Sequence, residues 1–415
     1  MILNILFWTV YFISLYLGVF WIMVIFENKH YPEKKPIKNY PFVSVVLPAY
    51  NEEDSIKGSI MSLFDLDYPK DKMEIMVVND GSTDHTKNIV KRIIKDNPEQ
   101  PLRLISKKNG GKGKALNLGL KESRGDFFVC LDADSFVRKD ALKKMLPYFY
   151  ADRNMAAVLP LMKIKKAESN IQKIQWYEYL INMFYKKLMN ALNCIHVAPG
   201  PFSIYRKSIL EKLGGFDENN LTEDLEIVFR MHKHKYRVVQ TYDTEVYTIA
   251  PKDIRGVVKQ RNRWFKGSTL NVINYRRMLF RKEYGNFGML QMPSIILSGV
   301  IVIILLFLMI NRIIPPLVSN LFNFASVDFD FMTFIYNFSL NFSILDLDYM
   351  ALITIMTMIM MSLIFFVNSI RNANERMFRK GVFSLFTYFL FYYLLMGFIW
   401  VGVFFDLIFR RVQKW

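Results

Sequence analysis

Two cysteines, Cys130 and Cys194, are too few for a disulfide framework in a chain of 415 residues. Cys130 falls in a predicted buried strand, so both read as core or free thiols. The five histidines never stand with cysteine at zinc-ligand spacing, and His232 and His234, on a lysine-rich helix, read as solvated. A phosphate-binding P-loop is missing as well. The loop 107–113 is rich in Gly and Lys without the required interval, and no GxGxxG follows the first strand. Kinase, ATPase and dinucleotide chemistry are therefore disfavoured. The chain also lacks internal repeats and low-complexity tracts.

Acidic residues are in deficit, 37 against 54 Lys and Arg, for a net charge of +17. Such an excess is one signature of a nucleic-acid partner. Here it clusters beside apolar runs, at 29–38, 276–282, 371–380 and 410–414. Basic clusters flanking apolar runs mark the cytoplasmic face of a bilayer and its anionic headgroups, so nucleic acid is not an expected partner. Ile2–Phe26 carries no charge and is long enough to cross a membrane. It lacks the basic start and small-residue cleavage site of a signal peptide, which points to an uncleaved anchor.

Further apolar runs near 290–310, 350–370 and 382–409 complete a multi-pass cell-membrane protein in contact with the lipid bilayer. The expected organisation is an anchor (1–27), a basic linker (28–41), a cytoplasmic catalytic domain (42–273), an interfacial amphipathic segment (274–289) and a carboxyl-terminal membrane region (290–415). Residues 312–349 read as an outward-facing loop, with Asn-Phe-Ser sequons at Asn337 and Asn341. One tension follows. With the amino terminus outside, three simple spans place 410–414 outside, against the positive-inside rule. A bent or re-entrant pair at 382–409, a tolerated exception, or partial insertion of 312–349 would each resolve it.

The middle of the chain carries the chemistry. An apolar run ends in Asp132-Ala133-Asp134, placing two carboxylates at i and i+2 at a strand's carboxyl end. Open α/β sheets bind ligands at that edge, and two carboxylates there can hold a hard cation whose shell ligand phosphates complete. Upstream, strands are expected at 42–47, 72–79, 102–106 and 126–131. The first runs into Pro48-Ala49-Tyr50-Asn51-Glu52, and the second into Asp80. Helices are expected at 55–64, from a cap at Ser82 or Thr83 to Lys95, and at 114–122. This alternation predicts an α/β domain with a mostly parallel sheet and helices on both faces.

Downstream come a helix at 142–150, a strand at 156–160 and a long helix at 168–192. The aromatic stripe of that long helix, Trp176, Tyr177, Tyr179, Phe184 and Tyr185, reads as packing. A Gly200-Pro201 turn lies near the site, and Thr222-Glu223-Asp224 starts a helix. Gln260-Arg261-Asn262-Arg263-Trp264 combines phosphate-matching guanidinium with a flat apolar face suited to a sugar ring.

Asp80, then Asp132-Ala133-Asp134, then Thr222-Glu223-Asp224, then Gln260–Trp264 resembles the D, DxD, TED, QxxRW series. That series belongs to membrane-embedded, inverting family 2 glycosyltransferases that make polysaccharides, including cellulose, chitin and hyaluronan synthases. The layout is most similar to the poly-N-acetylglucosamine synthases. The resemblance implies a GT-A domain that takes a UDP-sugar donor, a polysaccharide acceptor and Mg²⁺ or Mn²⁺, and it leaves room for a small accessory membrane subunit. It places Asp224 as catalytic base. Ala49, Tyr50, Glu52, Asp80, Lys112, Asp132 and Arg263 would bind the nucleotide-sugar, and Asp132 and Asp134 the metal. Glu223, Gln260 and Trp264 would bind the acceptor. Asn79 stands where another Asp is frequent in relatives. A growing hydrophilic polymer must then leave the cytoplasm, and its export is expected among the last three spans along Tyr, Asn and Ser residues, Asn368 and Ser369 being examples. The nearest alternative is transfer of a single sugar to a polyprenyl phosphate, whose enzymes normally lack QxxRW.

Overall fold

The computed structural model describes residues 2–27, 34–325 and 349–409. The sequons at Asn337 and Asn341 and the basic cluster 410–414 lie outside the described residues. After the amino-terminal helix α1 (Ile2–Phe26), strands β1 (Val43–Ala49), β2 (Met73–Asn79), β3 (Leu102–Ser106) and β4 (Phe127–Cys130) alternate with helices α2 (Ile56–Phe64), α3 (Thr86–Asp96) and α4 (Lys112–Glu122). The four strands pair in parallel in the order β3-β2-β1-β4. Successive residues of β1 serve different cores: Val45 and Leu47 pack on one face and Val46 on the other. Because both faces are covered, these strands read as unbroken apolar runs.

The second half of the domain contains β5 (Ser135–Val137), α5 (Ala141–Met145), α6 (Pro147–Ala151), β6 (Met155–Ile164), α7 (Asn170–Ala191), β7 (Ser203–Arg206), α8 (Lys207–Lys212), α9 (Glu223–Lys233), β8 (Arg237–Thr248) and α10 (Ile254–Asn274). The full sheet order is β3-β2-β1-β4-β7-β6-β8-β5. It is not wholly parallel. Strand β7 runs against both β4 and β6, and β5 against β8. Cys130 faces Ser203 across the ladder, so β7 starts at the edge where β4 stops. The segment entering β7 is thereby laid over the Asp132 loop.

Several local expectations change. The helix expected at 142–150 is two short ones, parted before Pro147, whose ring nitrogen has no hydrogen to donate. Helix α3 begins at Thr86 rather than at Ser82 or Thr83. The Ser82 hydroxyl is occupied by the Asn51 N–H, and Asp84 accepts from the Thr86 N–H instead. His232 is not solvated: its ring bonds the Ile195 carbonyl and stacks on Phe287 at 4.0 Å. Burial lowers its pKa to about 4.

Among the described residues, four helices are long and apolar enough to cross a membrane: Leu3–Phe26, Phe287–Pro316, Leu352–Asn372 and Val382–Ile408. The fourth is continuous, with one π-helical turn at Tyr388–Tyr392, and is no re-entrant pair. The second continues as α11 (Met292–Ala325) into the stretch expected to be a loop. Its apolar residues resume after Arg312, so one charge does not end the helical run. Residues 274–289 hold two 3₁₀ turns, Arg276–Met278 and Lys282–Tyr284, before a π turn opens the second span. Ser369 is buried with its hydroxyl on the Phe366 carbonyl, and the Asn368 amide donates to Ile364, so both side-chain donors are already engaged within their own helix.

The domain and the spans meet along α7. Its Tyr177 packs on Phe366 and Tyr388, its Phe184 on Phe365, and its Tyr185 edge-on against Trp21 of α1. Charged groups pin the same seam. Lys163 bonds the Ala373 carbonyl at 2.7 Å and approaches Glu375 at 3.3 Å, while Lys266 pairs with Asp406 at 2.8 Å. Arg261 is 0% exposed and grips Glu178 with two donors, at 3.0 and 2.5 Å, and Tyr392 donates to the same carboxylate. Removing one partner of a buried pair strands the other's charge. Arg261→Ala is thus expected to destabilise the folded protein by roughly 3–5 kcal/mol, measured as a lowered melting temperature in nanodiscs. A melt unchanged from wild type would show that the pair carries no such weight.

Candidate active site

Parallel strands deliver their loops to one edge of the sheet. β1 ends at Ala49, β2 at Asn79 and β4 at Cys130, which gathers 50–53, 80–84 and 131–134 there. The first two loops are tied together. Asn51 adopts a left-handed conformation (φ 56°) and accepts from the Thr83 N–H at 2.9 Å, while the Glu52 N–H donates to Thr86 at 2.8 Å. Tyr50 is left exposed. Glu52 turns inward, accepts from the Ser55 hydroxyl at 2.6 Å, and has its pKa raised chiefly by burial.

Asp80 is buried, and it organises the Gly-rich loop. Its two oxygens accept from the Gly110 and Gly111 N–H groups at 3.0 and 2.8 Å and from the Lys107 ammonium. Gly81 is needed beside it: with φ at +72°, a Cβ there would also meet the Asn109 nitrogen at 2.6 Å. The loop so held sets Lys112 at the start of α4, two residues earlier than expected.

Lys112 is the hub. Its ammonium lies 2.6 Å from Asp132 and 3.3 Å from Glu223, which joins the end of β4 to the start of α9. Burial works against this charge, but Asp132 and Glu223 override it and hold the pKa well above the ordinary lysine value. Asp134 accepts from the Ser135 hydroxyl at 3.0 Å. Its pKa is pushed up to about 7 by burial, and next by repulsion from Asp132 and Glu52.

Asp224 stands in the first turn of α9. Its pKa is pushed up to about 6 by burial and then by Glu223, with Lys112 and Arg263 pulling the other way. Its backbone carbonyl accepts the Ala198 N–H at 3.2 Å, which fixes the segment entering β7 beside it.

Strand ends, α4 and α9 therefore bring Glu52, Lys112, Asp132, Asp134, Glu223 and Asp224 together, with the charge of Arg263 felt by Asp224. Glu223, expected on the acceptor side, is bound to Lys112. Gln260 and Trp264 lie on α10 around Arg261: Gln260 accepts from the guanidinium, which covers one face of the Trp264 ring at 4.1 Å. A sugar would have to use the ring's remaining face or edge. Sequence reasoning missed this role of Arg261. The signal was its spacing three residues before Trp264, which sets both on one side of a helix.

For a divalent cation the donor set fits. Among the described residues no cluster of three or more ligating side chains occurs, but two carboxylates plus ligand phosphates are the usual complement for Mg²⁺. The raised pKa of Asp134 marks crowded negative charge that a cation would relieve.

Residues 44–214 match the family model of Glycosyl transferase family 2. The chain is 30% identical over 267 residues to a poly-beta-1,6-N-acetyl-D-glucosamine synthase of Staphylococcus aureus (strain MSSA476), covering 62% of this chain and 64% of that protein. A synthase of the same name from Staphylococcus epidermidis is 31% identical over 226 residues, 54% of each chain. The matched region thus spans less than two thirds of these relatives' own length. Among solved structures, a mannosyltransferase of Pyrobaculum calidifontis in complex with GDP-Man and Mn²⁺ superposes with a TM-score of 0.61 at 18% identity, over 99% of this chain and 98% of that one. The fold is that of the GT-A glycosyltransferases.

Gly200 supplies a test of the site's geometry. A Cβ there would sit 2.2 Å from an Asp132 oxygen, so Gly200→Ala must displace that carboxylate. We expect turnover to fall about 100-fold, the scale of a 1 Å misplacement, with the melting temperature nearly unchanged. Full activity in the variant would show that the position of Asp132 is not critical.

Proposed function

We propose that this chain, whose residues 44–214 match the family model of Glycosyl transferase family 2, transfers N-acetylglucosamine from UDP-N-acetylglucosamine to the end of a growing polysaccharide by a single inverting displacement. The observation that carries the reading is the pairing of a proton-hungry carboxylate, Asp224, with the Lys112–Asp132–Asp134 cluster at one sheet edge. The names of the Staphylococcus relatives support the donor and the polymer.

Uracil and ribose would lie along Ala49, Tyr50, Glu52 and Asp80, with the diphosphate toward Lys112, Asp132 and Arg263. Asp132 and Asp134 would hold Mg²⁺ or Mn²⁺, which when bound neutralises charge on the leaving diphosphate. Asp224 takes the proton of the acceptor hydroxyl as that oxygen bonds to the anomeric carbon. The carbon–diphosphate bond breaks on the opposite face and its electron pair leaves with UDP, so the anomeric configuration inverts. Arg263 stabilises the developing charge. Gln260 and the open face of Trp264 orient the acceptor sugar, and Glu223 holds Lys112 in place.

The basic clusters support a cytoplasmic domain. The 371–381 turn is tied to the domain through Lys163 of β6 and Tyr177 of α7, and a cytoplasmic place for this basic turn accords with the positive-inside rule. Polymer leaving the site would pass outward among the four spans.

The test uses purified full-length protein in nanodiscs with Mn²⁺, offered UDP-N-acetylglucosamine, UDP-glucose, UDP-glucuronate and GDP-mannose separately. Nucleotide release with UDP-N-acetylglucosamine together with glycanase-sensitive polymer supports the reading, and Asp224→Asn should cut turnover by about 10²–10⁴-fold. Release without polymer points to single transfer onto a lipid phosphate. Asp224 must be ionised to accept a proton, so kcat/KM should fall as pH drops through about 6 and level off above it. A rate flat from pH 5 to 8 would remove Asp224 as the base.

A further inference from the structure

We infer that Asn271, late in α10, is a positioning residue for the transfer: its amide sets the acceptor side of α10 against the turn that presents Asp224. This rests on the reading above. Asn271 is 0% exposed. Asparagine is a poor helix former, and a buried amide is costly unless it is bonded, so α10 has no use of its own for one here. The bonds it makes cross to a neighbouring element. Its amide nitrogen donates to the Gly267 carbonyl one turn back at 3.0 Å and, outside α10, to the Thr222 hydroxyl and Asn220 Oδ1, both at 3.2 Å. Asn220 donates its own amide to Asn271 Oδ1 at 3.0 Å. The two amides thus form a closed pair, and turning either one over would set like atoms against like.

The far side of this pair is the start of α9. Asn220 Oδ1 also accepts the Thr222 N–H at 3.1 Å, which fixes the turn entering that helix. Thr222 stands at the cap position, where a threonine ordinarily bonds the first turn. Its hydroxyl does not cap its own helix and accepts from Asn271 instead. The chains also meet directly there. A Cβ on Gly267 would sit 2.4 Å from the Thr222 hydroxyl oxygen and 3.0 Å from the Thr222 Cβ. Gln260, Trp264, Gly267 and Asn271 follow at intervals of four, three and four, a single stripe along α10. The proposed acceptor residues therefore share a face with the contact to Thr222. The first turn of α9 is tied on both sides. Glu223 reaches Lys112, and through it Asp132, at the donor end, and Thr222 reaches Asn271 at the acceptor end. Elsewhere α10 is held to the fourth span, by Phe265 stacked on Trp400 at 4.7 Å and by Lys266 paired with Asp406. Tyr275 donates to Glu226 further along α9, so losing the amide pair loosens the end of the contact nearest Asp224 and leaves the other closed. Asp224 then stays with the donor while the acceptor loses its register to it. Water can still attack the donor, but a saccharide hydroxyl is no longer delivered to the base.

The partition of turnover between saccharide and water tests this. Full-length protein in nanodiscs is given UDP-N-acetylglucosamine with and without a tetramer of N-acetylglucosamine, and UDP release and tetramer elongation are counted separately. Asn271→Leu should lower elongation about 100-fold, the scale of a 1 Å misplacement. Donor KM, and hydrolysis of the donor without acceptor, should stay within about twofold. Gly267→Ala wedges the same contact without touching either amide and should shift the partition the same way, which covers the case in which Asn271→Leu does not fold. Asn220→Ala combined with Asn271→Leu should be no worse than the worse single variant, because both remove one pair. A residue that only supported the fold would lower elongation and hydrolysis together. Elongation and hydrolysis falling in equal proportion, or elongation unchanged, overturns the inference. Failure of both Asn271→Leu and Gly267→Ala to fold assigns the contact to stability and overturns it as well. Wild type that does not elongate the tetramer overturns the polysaccharide reading and this inference with it, so the wild type alone tells the two failures apart.

Discussion

Crowded negative charge at one sheet edge is the constraint from which the site follows. Glu52, Asp132, Asp134, Glu223 and Asp224 converge there, and Lys112 is the cation that bridges Asp132 to Glu223. Without it the end of β4 and the start of α9 would repel one another. With it the balance is still negative, and the surplus appears as elevated proton affinity on Asp134 and Asp224. One excess suits a bound cation and the other suits proton removal. The fold divides a single electrostatic problem into two chemical uses.

That arrangement depends on Asp80, some distance along the edge. By fixing the Gly110 and Gly111 amides it determines where α4 begins, and hence where Lys112 stands. The reversed strand β7 contributes from the other side. Its entry segment, narrow at Gly200, confines Asp132 while Ala198 ties down Asp224. A purely parallel sheet would not bring chain back to this edge so directly.

Much of this was legible in the sequence. The residues that end buried runs, Asp80, Asp132 and Asp134, announced themselves because apolar continuity breaks at them. The first four strands and all four apolar helices were legible for the same reason. What stayed hidden was direction and partnership. Nothing in Ser203–Arg206 says that β7 runs backward, since an antiparallel strand buried on both faces has the same composition as a parallel one. Nothing marks Lys186 as buried, because a lysine on a long helix is ordinarily at the surface. His232 misled for that reason too, being flanked by exposed charges while its own ring packs on Phe287. Arg261 and Arg263 look equivalent on paper, yet one is a structural keystone facing Glu178 and the other is sensed by Asp224.

The seam along α7 bears on how such a protein can be taken apart. Cutting the chain after α10 to obtain a soluble catalytic fragment would remove Tyr392 from Glu178, Glu375 from Lys163 and Asp406 from Lys266. It would also uncover the aromatic side of α7 that Phe365, Phe366 and Tyr388 now cover. The unit that folds is thus larger than the unit that carries the chemistry. For chimeras, the interchangeable block is the domain together with its last two helices, and a graft that respects only the motif boundaries would divide a single hydrophobic core.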